Sequence, residues 1–209
     1  PQWLKSDGEL HKNLFDEAQL ADPATVTELR QELADLLLEE VANRDFEATG
    51  RLLRQFKTRQ LFKIAARDLN KLGSTDLILQ ELSNLADICL QAVFRLVWLQ
   101  LTEKIGAPYY KNERGRWVTA NFSVIGLGKL GGQELNYSSD VDLIFVYSRD
   151  GFVFKEPPEH GETPRRALDN YQFFTRLAEG IVDEVSKSSS EGSLYRVDLR
   201  LRPEGQSGS

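Results

Sequence analysis

The fold is decided by residues 122 to 147, which read FSVIGLGKLGGQELNYSSDVDLIFVY. An apolar run, 122 to 125, leads into a turn rich in glycine, and a second apolar run, 141 to 147, follows it. Side chains alternate between the two faces of a strand. We therefore predict two strands joined by the glycine turn, with Asp140 and Asp142 projecting from the same face of the second one.

This pair of carboxylates predicts a metal site. Asp140 and Asp142 would lie about 7 Å apart, from two rises of about 3.3 Å each. Unpaired like charges at the start of a core strand are costly, and a divalent cation held by oxygen ligands is the usual compensation. The hypothesis that follows is a magnesium site.

The glycine turn supplies a second part of a site. Gly126, Gly128, Gly131 and Gly132 would let backbone N–H groups approach an anion without interference from a Cβ atom. With the acidic pair, this turn indicates a nucleotide held by its phosphates, with a metal ion bridging them. The alternative is a hairpin or βα unit in which the glycines only form the turn and the aspartates lie at a solvent-exposed strand end. The glycines alone, or the acidic pair alone, would favour that alternative. Their coincidence favours the site.

A third carboxylate lies near the end of the chain. Residues 193 to 201, SLYRVDLRL, alternate as a strand does, and Asp198 is the only acid among them. Arg196 and Arg200 flank it, and Arg202 follows. Beside the first acidic strand, Asp198 would complete a triad able to hold metal ions for in-line phosphoryl transfer, with the arginines on phosphate oxygens. A cross-strand salt-bridge network that neutralises Asp198 is an equally weighted alternative.

Composition limits the classes of partner. The chain has 209 residues, a net charge of -6 and a pI of about 5.1, which argues against a broad nucleic-acid-binding surface. Its single cysteine, Cys89, sits in an apolar helical run and is expected to be a core thiol in a reducing cytoplasm. The most apolar window, 88 to 101, is too short to span a bilayer. We expect a cytoplasmic protein that binds neither nucleic acid nor membrane.

Helical periodicity covers the first half of the chain. We predict one helix from Thr25, a second from an Asp45 cap to Leu69, and a third from Asp76 to about Ile105, capped by Ser74 or Thr75. We expect most of the basic side of the second helix to be solvated. Its members are Arg51, Arg54, Lys57, Arg59, Lys63 and Arg67.

The second half is predicted to be an α+β catalytic core. Residues 107 to 116 are expected to be a charged connector, which divides a helical region at 1 to 106 from a core at 107 to 209. A polar loop, 150 to 163, precedes a helix that starts at Thr163 and Pro164 and ends near Lys187. We expect this helix on the sheet face opposite the carboxylates. The fold class is thus a helical bundle followed by a small mixed β-sheet with packed helices.

The side chains predicted to form the buried face of that last helix, as one apolar stripe, are Leu168, Tyr171, Phe174, Ala178, Ile181, Val182 and Val185.

Two sequence motifs resemble those of a known family. GLGKLGGQELNYSSDVDLIFVY at 126 to 147 and YRVDLRLRPEGQSG at 195 to 208 look like the glutamine synthetase adenylyltransferase/adenylyl-removing enzymes. Their catalytic modules belong to the DNA polymerase β-like nucleotidyltransferase superfamily. KIAARDL at 63 to 69 and LSNLADICLQA at 82 to 92 extend the resemblance over most of the chain. The family continues past this sequence, so we expect the chain to lack the partner catalytic half and part of its own domain.

The resemblance implies roles for individual residues. Asp140, Asp142 and Asp198 would be catalytic and would bind Mg²⁺ or Mn²⁺. The nucleotide phosphates would be cradled by Gly131, Gly132 and Ser139, with weaker support for Lys129, Arg196, Arg200 and Arg202.

The resemblance also implies a direction of reaction. One half of these enzymes removes AMP from a tyrosine of glutamine synthetase by phosphorolysis, giving ADP, and the other half attaches AMP from ATP. The removing half typically reads Asn-Phe-Ser-Ser-Asp and Arg-Val-Asp, the attaching half Gly-Tyr-Gly-Ser-Asp and Glu-Val-Asp. NYSSD at 136 to 140 and RVD at 196 to 198 match the removing half, which we therefore expect.

Partners are implied in the same way: glutamine synthetase, a PII-type signal protein, nucleotide and phosphate. Three alternatives stay open. They are the attaching half, an enzyme of the same superfamily that acts on nucleic acid, and a non-catalytic helical interaction module that senses a nucleotide.

Overall fold

The computed structural model describes residue 20, residues 22 to 159 and residues 168 to 198. Three long helices come first, followed by short strands and two further helices. The helices are α1 Val26–Ala42, α2 Phe46–Leu69, α3 Thr75–Ile105, α4 Gly128–Gly131 and α5 Asn170–Ser186. The strands are β1 Ala107–Lys111, β2 Trp117–Thr119, β3 Phe122–Leu127, β4 Val141–Tyr147, β5 Phe152–Phe154 and β6 Val197–Asp198.

Side-chain caps set the starts of the three long helices. Thr25 and Glu28 form a capping box at α1, in which each side chain accepts the backbone N–H of the other residue. Asp45 caps α2 and Ser74 caps α3. Gly106 ends α3 at a φ of 101°, which a glycine adopts readily. The predicted bounds of these helices are confirmed.

Two arginines on the basic side of α2 are buried, so the prediction of a solvated side is wrong for them. Arg54 donates to the Gly50 carbonyl at 2.8 Å and pairs with Glu184 of α5, also at 2.8 Å. Arg67 pairs with Glu81 of α3, and its Nε lies 3.2 Å from Glu81 Oε1. A buried guanidinium is tolerated when a carboxylate neutralises it. These two pairs tie α2 to α5 and α3.

Helix α3 is the central helix of the chain. It packs against α1, α2 and α5, and Cys89 in its middle is fully buried, as predicted. Burial raises the pKa of the Cys89 thiol to about 12. By length and composition α3 could cross a membrane, but nearly half of its apolar window is covered by protein. The core helix of a soluble protein has the same properties.

The first sheet has the order β2-β1-β5 and is antiparallel. It corrects two predictions, since β1 occupies half of the expected connector at 107 to 116 and β5 interrupts the expected polar loop after Asp150. Aromatic packing explains both strands: the rings of Tyr109 and Trp117 contact Phe154 edge-on, at 6.0 and 5.0 Å between centroids. The boundary expected between 106 and 107 stays a prediction.

The second sheet is mixed and has the order β3-β4-β6. Strands β3 and β4 pair antiparallel, from Phe122 opposite Tyr147 to Leu127 opposite Asp142. Strand β6 lies parallel to β4 on its other side. This sheet confirms the predicted β3 and β4 and the α+β fold class. Of the strand predicted at 193 to 201, only β6 is a strand, and 199 to 201 lie outside the described residues.

Helix α5 starts later than predicted. Asp169 is its cap, because its carboxylate accepts the Gln172 N–H at 2.7 Å. Leu168 is not helical, and the predicted start at Thr163 and Pro164 lies outside the described residues. Asp169 also bridges to Phe152 of β5, so the chain is still extended here.

The predicted packing of α5 is confirmed. Phe174 stacks on Phe122 and on Tyr147, at 5.3 and 5.0 Å between ring centroids. Tyr147 is five positions from Asp142 along β4, so its side chain lies on the opposite face of the sheet. Phe122 pairs with Tyr147 and lies on that same face. Within the predicted stripe Tyr171 is exposed, whereas Phe173, which the stripe omitted, is fully buried.

Candidate functional site

Two of the three predicted carboxylates lie side by side at one end of the mixed sheet. Asp142 of β4 lies in register with Asp198 of β6. Neighbouring strands are about 4.8 Å apart, and residues in register project to the same face. Asp140 precedes β4 by one position and is two residues from Asp142. The structure thus meets the condition on which the triad was predicted, since the strand of Asp198 lies beside the strand of Asp142.

Arg196 is bound to the first of these carboxylates. Its Nε donates to Asp140 Oδ1 at 2.6 Å, and its Nη2 donates to the Ser138 carbonyl at 3.3 Å. The side chains of Arg196 and Asp140 are 75% and 41% exposed. An ion pair this exposed is weak, so Arg196 can exchange Asp140 for another anion at little cost. This ion pair lies on Asp140, whereas the alternative in which neighbouring arginines neutralise Asp198 stays a prediction.

The carboxylates suit a hard divalent cation by their chemistry. Asp142 and Asp198 offer oxygen ligands from adjacent strands, which Mg²⁺ and Mn²⁺ prefer. Within the part of the chain that the structure describes, no group of three or more His, Cys, Asp or Glu side chains is arranged to hold a metal ion. Asp140 would have to leave Arg196 to become the third ligand. The metal triad therefore stays a prediction.

The glycine turn lies directly against Asp142. Gly128 has a φ of 52°, and a Cβ atom there would lie 2.3 Å from Asp142 Oδ2. A side chain at this position would push the Asp142 carboxylate aside, and glycine adopts that backbone without strain. Nothing in the sequence distinguished Gly128 from its neighbouring glycines, because the approach of Asp142 depends on the pairing of β3 with β4.

The structure gives the predicted phosphate-binding glycines other partners. A Cβ on Gly131 would lie 2.6 Å from the Gly126 carbonyl oxygen, so Gly131 lets α4 pack on the end of β3. The Gly132 N–H donates to the Gly128 carbonyl at 3.0 Å. A phosphate at this turn would have to replace that hydrogen bond. Lys129 is exposed on α4.

A hydrogen-bonded turn precedes Asp140. The Asn136 side-chain oxygen accepts the Ser138 N–H at 3.2 Å and the Ser139 hydroxyl at 2.7 Å. Such turns are typical of asparagine. Ser139 directly precedes Asp140 in the chain, but its hydroxyl already donates within the loop. The arginines predicted at Arg200 and Arg202 lie outside the described residues.

Substitution of Gly128 by Ala should disturb Asp142 more than it disturbs the fold. We expect Gly128→Ala to cost about 1 kcal/mol of folding stability from its backbone conformation. If Asp142 holds the predicted metal ion, the variant should also bind Mn²⁺ at least about tenfold more weakly, because Asp142 must move aside. Urea unfolding and Mn²⁺ titration followed by electron paramagnetic resonance measure the two effects.

Gly115→Ala is the matched control. Gly115 has a φ of 69°, and beyond its chain neighbours no described atom lies within 4 Å of the Cβ that an alanine would add. The control therefore carries the backbone cost without the clash. Equal Mn²⁺ affinity in the two variants would contradict the predicted role of Asp142, held against Gly128, in binding the metal ion.

Comparison with known proteins identifies the family. The family described as glutamate-ammonia ligase adenylyltransferase matches residues 1–209. A relative from Mannheimia haemolytica is 39% identical over 164 residues, 78% of this chain and 16% of the relative. A relative from Pseudomonas aeruginosa is 38% identical over 206 residues, 97% of this chain and 19% of the relative. Both are named bifunctional glutamine synthetase adenylyltransferase/adenylyl-removing enzyme.

The chain spans less than a fifth of the length of these two relatives. The match with the family covers the chain from end to end, including both acidic strands and the glycine turn between β3 and β4. The chain belongs to the glutamate-ammonia ligase adenylyltransferase family.

Proposed function

We propose that this chain is an adenylyl-removing module, which removes the AMP group from a tyrosine of glutamine synthetase by phosphorolysis and releases it as ADP. The observation that carries the proposal is the register of Asp142 with Asp198, beside a glycine turn at which any side chain would displace the Asp142 carboxylate. Acidic groups on adjacent strands next to a glycine turn suit a metal-dependent transfer of a nucleotidyl group. The printed names of the relatives describe both removal and attachment.

In the proposed reaction an oxygen of inorganic phosphate attacks the phosphorus of the AMP–tyrosine diester. The bond from phosphorus to the tyrosine oxygen breaks, that oxygen takes up a proton, and the product is ADP. Asp140, Asp142 and Asp198 would hold Mg²⁺ or Mn²⁺, which would neutralise charge on the phosphate oxygens. Arg196 would leave Asp140 and hold the attacking phosphate through its planar guanidinium. Positioning and electrostatic stabilisation would supply most of the rate.

The direction of the reaction, removal rather than attachment, is inferred from two short motifs. NYSSD at 136 to 140 and RVD at 196 to 198 match the motifs typical of the removing half. The position of Arg196 agrees with this choice, since a cation 2.6 Å from Asp140 can bind a phosphate nucleophile. A glutamate at the same position, as the attaching half has, would repel it.

The test compares the two directions with one protein. The chain is incubated either with adenylylated glutamine synthetase, phosphate and Mg²⁺, or with unmodified glutamine synthetase, ATP and Mg²⁺. We expect ADP in the first mixture and no AMP incorporation in the second. Incorporation of AMP without ADP release would assign the attaching reaction instead. Nucleotide binding without either product from a folded chain would favour the interaction module.

Arg196→Gln should impair the use of phosphate. We expect the KM for inorganic phosphate to rise at least about tenfold, because a neutral amide forms weaker hydrogen bonds to an anion than a guanidinium does. Initial rates of ADP release over a range of phosphate concentrations measure this. Arg149→Gln is the control, since Arg149 is an exposed arginine beyond the far end of β4. An unchanged KM for phosphate in Arg196→Gln would exclude Arg196 from phosphate binding.

The wider setting is proposed on the same basis. Glutamine synthetase would be the protein substrate, and a PII-type signal protein would be a partner of the full-length enzyme. We propose a cytoplasmic location for the chain.

A further inference from the structure

The loop that leads into the candidate site is held by the helical half of the chain. This loop, residues 133 to 139, connects α4 with Asp140 and β4. Three polar contacts join it to α2 and α3: Gln133 with Asp87, Leu135 with Ser83, and Tyr137 with Asp68. None of the three is needed to form a helix or a strand. Their effect is therefore on the position of the loop.

The contact with Ser83 is buried. The Ser83 hydroxyl donates to the Leu79 carbonyl at 2.8 Å and accepts the Leu135 N–H at 3.0 Å. Ser83 is 0% exposed and Leu135 is 2% exposed. A buried N–H without an acceptor is costly, so the hydroxyl fixes where the loop backbone meets α3. An alanine at 83 would leave the Leu135 N–H without this acceptor.

The contact with Asp68 lies closer to Asp140 along the chain. The Tyr137 hydroxyl donates to Asp68 Oδ2 at 3.0 Å, at the last turn of α2. Partial burial, then the hydrogen bond to Asp68, raises the pKa of Tyr137 to about 12, so the phenol stays a proton donor at physiological pH. Tyr137 is three residues from Asp140 and belongs to the turn that Asn136 closes.

We propose that Ser83 and Asp68 are positioning residues, which act through the 133–139 loop to fix Asp140 beside Asp142. Asp140 follows the loop directly, and displacement of the loop at either anchor moves that carboxylate relative to the strand. Small displacements of a catalytic group are known to lower turnover by large factors. The catalytic consequence rests on the proposed function, whereas the ordering of the loop does not.

Hydrogen exchange tests the ordering without any substrate. In Ser83→Ala we expect the amides of residues 133 to 140 to exchange about tenfold faster than in the wild type, because one buried hydrogen bond is lost. Thr102→Val is the matched control on the same helix. The Thr102 hydroxyl contacts only carbonyls of α3, those of Trp98 and Leu99, among the contacts the structure describes. Exchange of the loop should be unchanged in the control.

A second set of variants avoids the buried site, in case Ser83→Ala fails to fold. Tyr137→Phe and Asp68→Ala each remove the exposed anchor, and we expect each to lower kcat for ADP release about threefold or more with an unchanged KM for adenylylated glutamine synthetase. The double variant should be no slower than the slower single one, because the two groups act as one contact. Tyr147→Phe is the control, as it loses a like bond, 2.7 Å to Asp150, at the far end of β4.

The outcomes separate the two proposals. Faster exchange of the loop in Ser83→Ala or Tyr137→Phe, with a fall in kcat that the two control variants do not show, supports the inference. Exchange across 133 to 140 at the wild-type rate in the folded variants overturns it. If the wild type releases no ADP, the proposed function fails, and the exchange rates alone decide whether the helices order the loop.

Discussion

Asp142→Asn is expected to lower metal-dependent ADP release at least about a thousandfold while the chain stays folded. The amide has nearly the shape of the carboxylate, so the contact with Gly128 is kept. Its charge is lost, and with it the attraction for a divalent cation beside Asp198. Initial rates of ADP release, together with a thermal melt followed by circular dichroism, measure turnover and folding in the same preparation.

Asp150→Asn is the matched control for this result. Asp150 is exposed, follows the same strand and accepts a hydrogen bond from Tyr147. It lies beyond the end of β4 that is remote from Asp142. We expect the turnover of this variant to equal that of the wild type. A rate within tenfold of wild type in a folded Asp142→Asn would exclude the Asp142 carboxylate from the reaction.

The largest effect on stability is expected at the ion pair of Arg67 with Glu81. Both residues are buried, at 6% and 8% exposure, and the pair joins α2 to α3. Glu81→Ala would leave the guanidinium without its carboxylate in the interior, which costs about 3 to 5 kcal/mol. The free energy of unfolding in urea, compared between wild type and variant, measures this loss.

An exposed ion pair in the same helical region provides the control. Arg44 and Glu103 are 49% and 40% exposed, so Glu103→Ala is expected to cost less than about 1 kcal/mol. The double variant Arg67→Met with Glu81→Leu should recover much of the loss, because an apolar pair of similar volume replaces the buried charges. Equal losses in Glu81→Ala and Glu103→Ala would show that the buried pair does not stabilise the fold.

Local patterns predicted the helices and the acidic edge well. Capping residues, and apolar side chains spaced three and four residues apart, predicted α1, α2 and α3, because these signals lie within one helix. The alternation around Asp198 placed its side chain on one face, and the pairing of β6 with β4 put that face beside Asp142. The alternation needs only neighbouring residues and could be predicted, whereas the pairing of β6 with β4 joins distant residues and was only a condition of the prediction.

Features that depend on distant partners could not be predicted in this way. Arg54 is buried because Glu184, 130 residues away along the chain, reaches it from α5. Strand β5 is three residues long and forms because β1 offers it an edge. The role of Gly128 depends on the pairing that brings Asp142 against it. In each case the decisive contact joins residues that no sequence period relates.

The most direct test of the account follows the fate of labelled phosphate. The chain is incubated with adenylylated glutamine synthetase, Mg²⁺ and inorganic phosphate labelled with ³²P, and the nucleotides are separated. Phosphorolysis at the carboxylates predicts that the label appears in the β-phosphate of ADP. No labelled ADP should form when Mg²⁺ is chelated or when the Asp142→Asn variant replaces the wild type. Release of unlabelled AMP, or no release of nucleotide by the folded wild type, would contradict it.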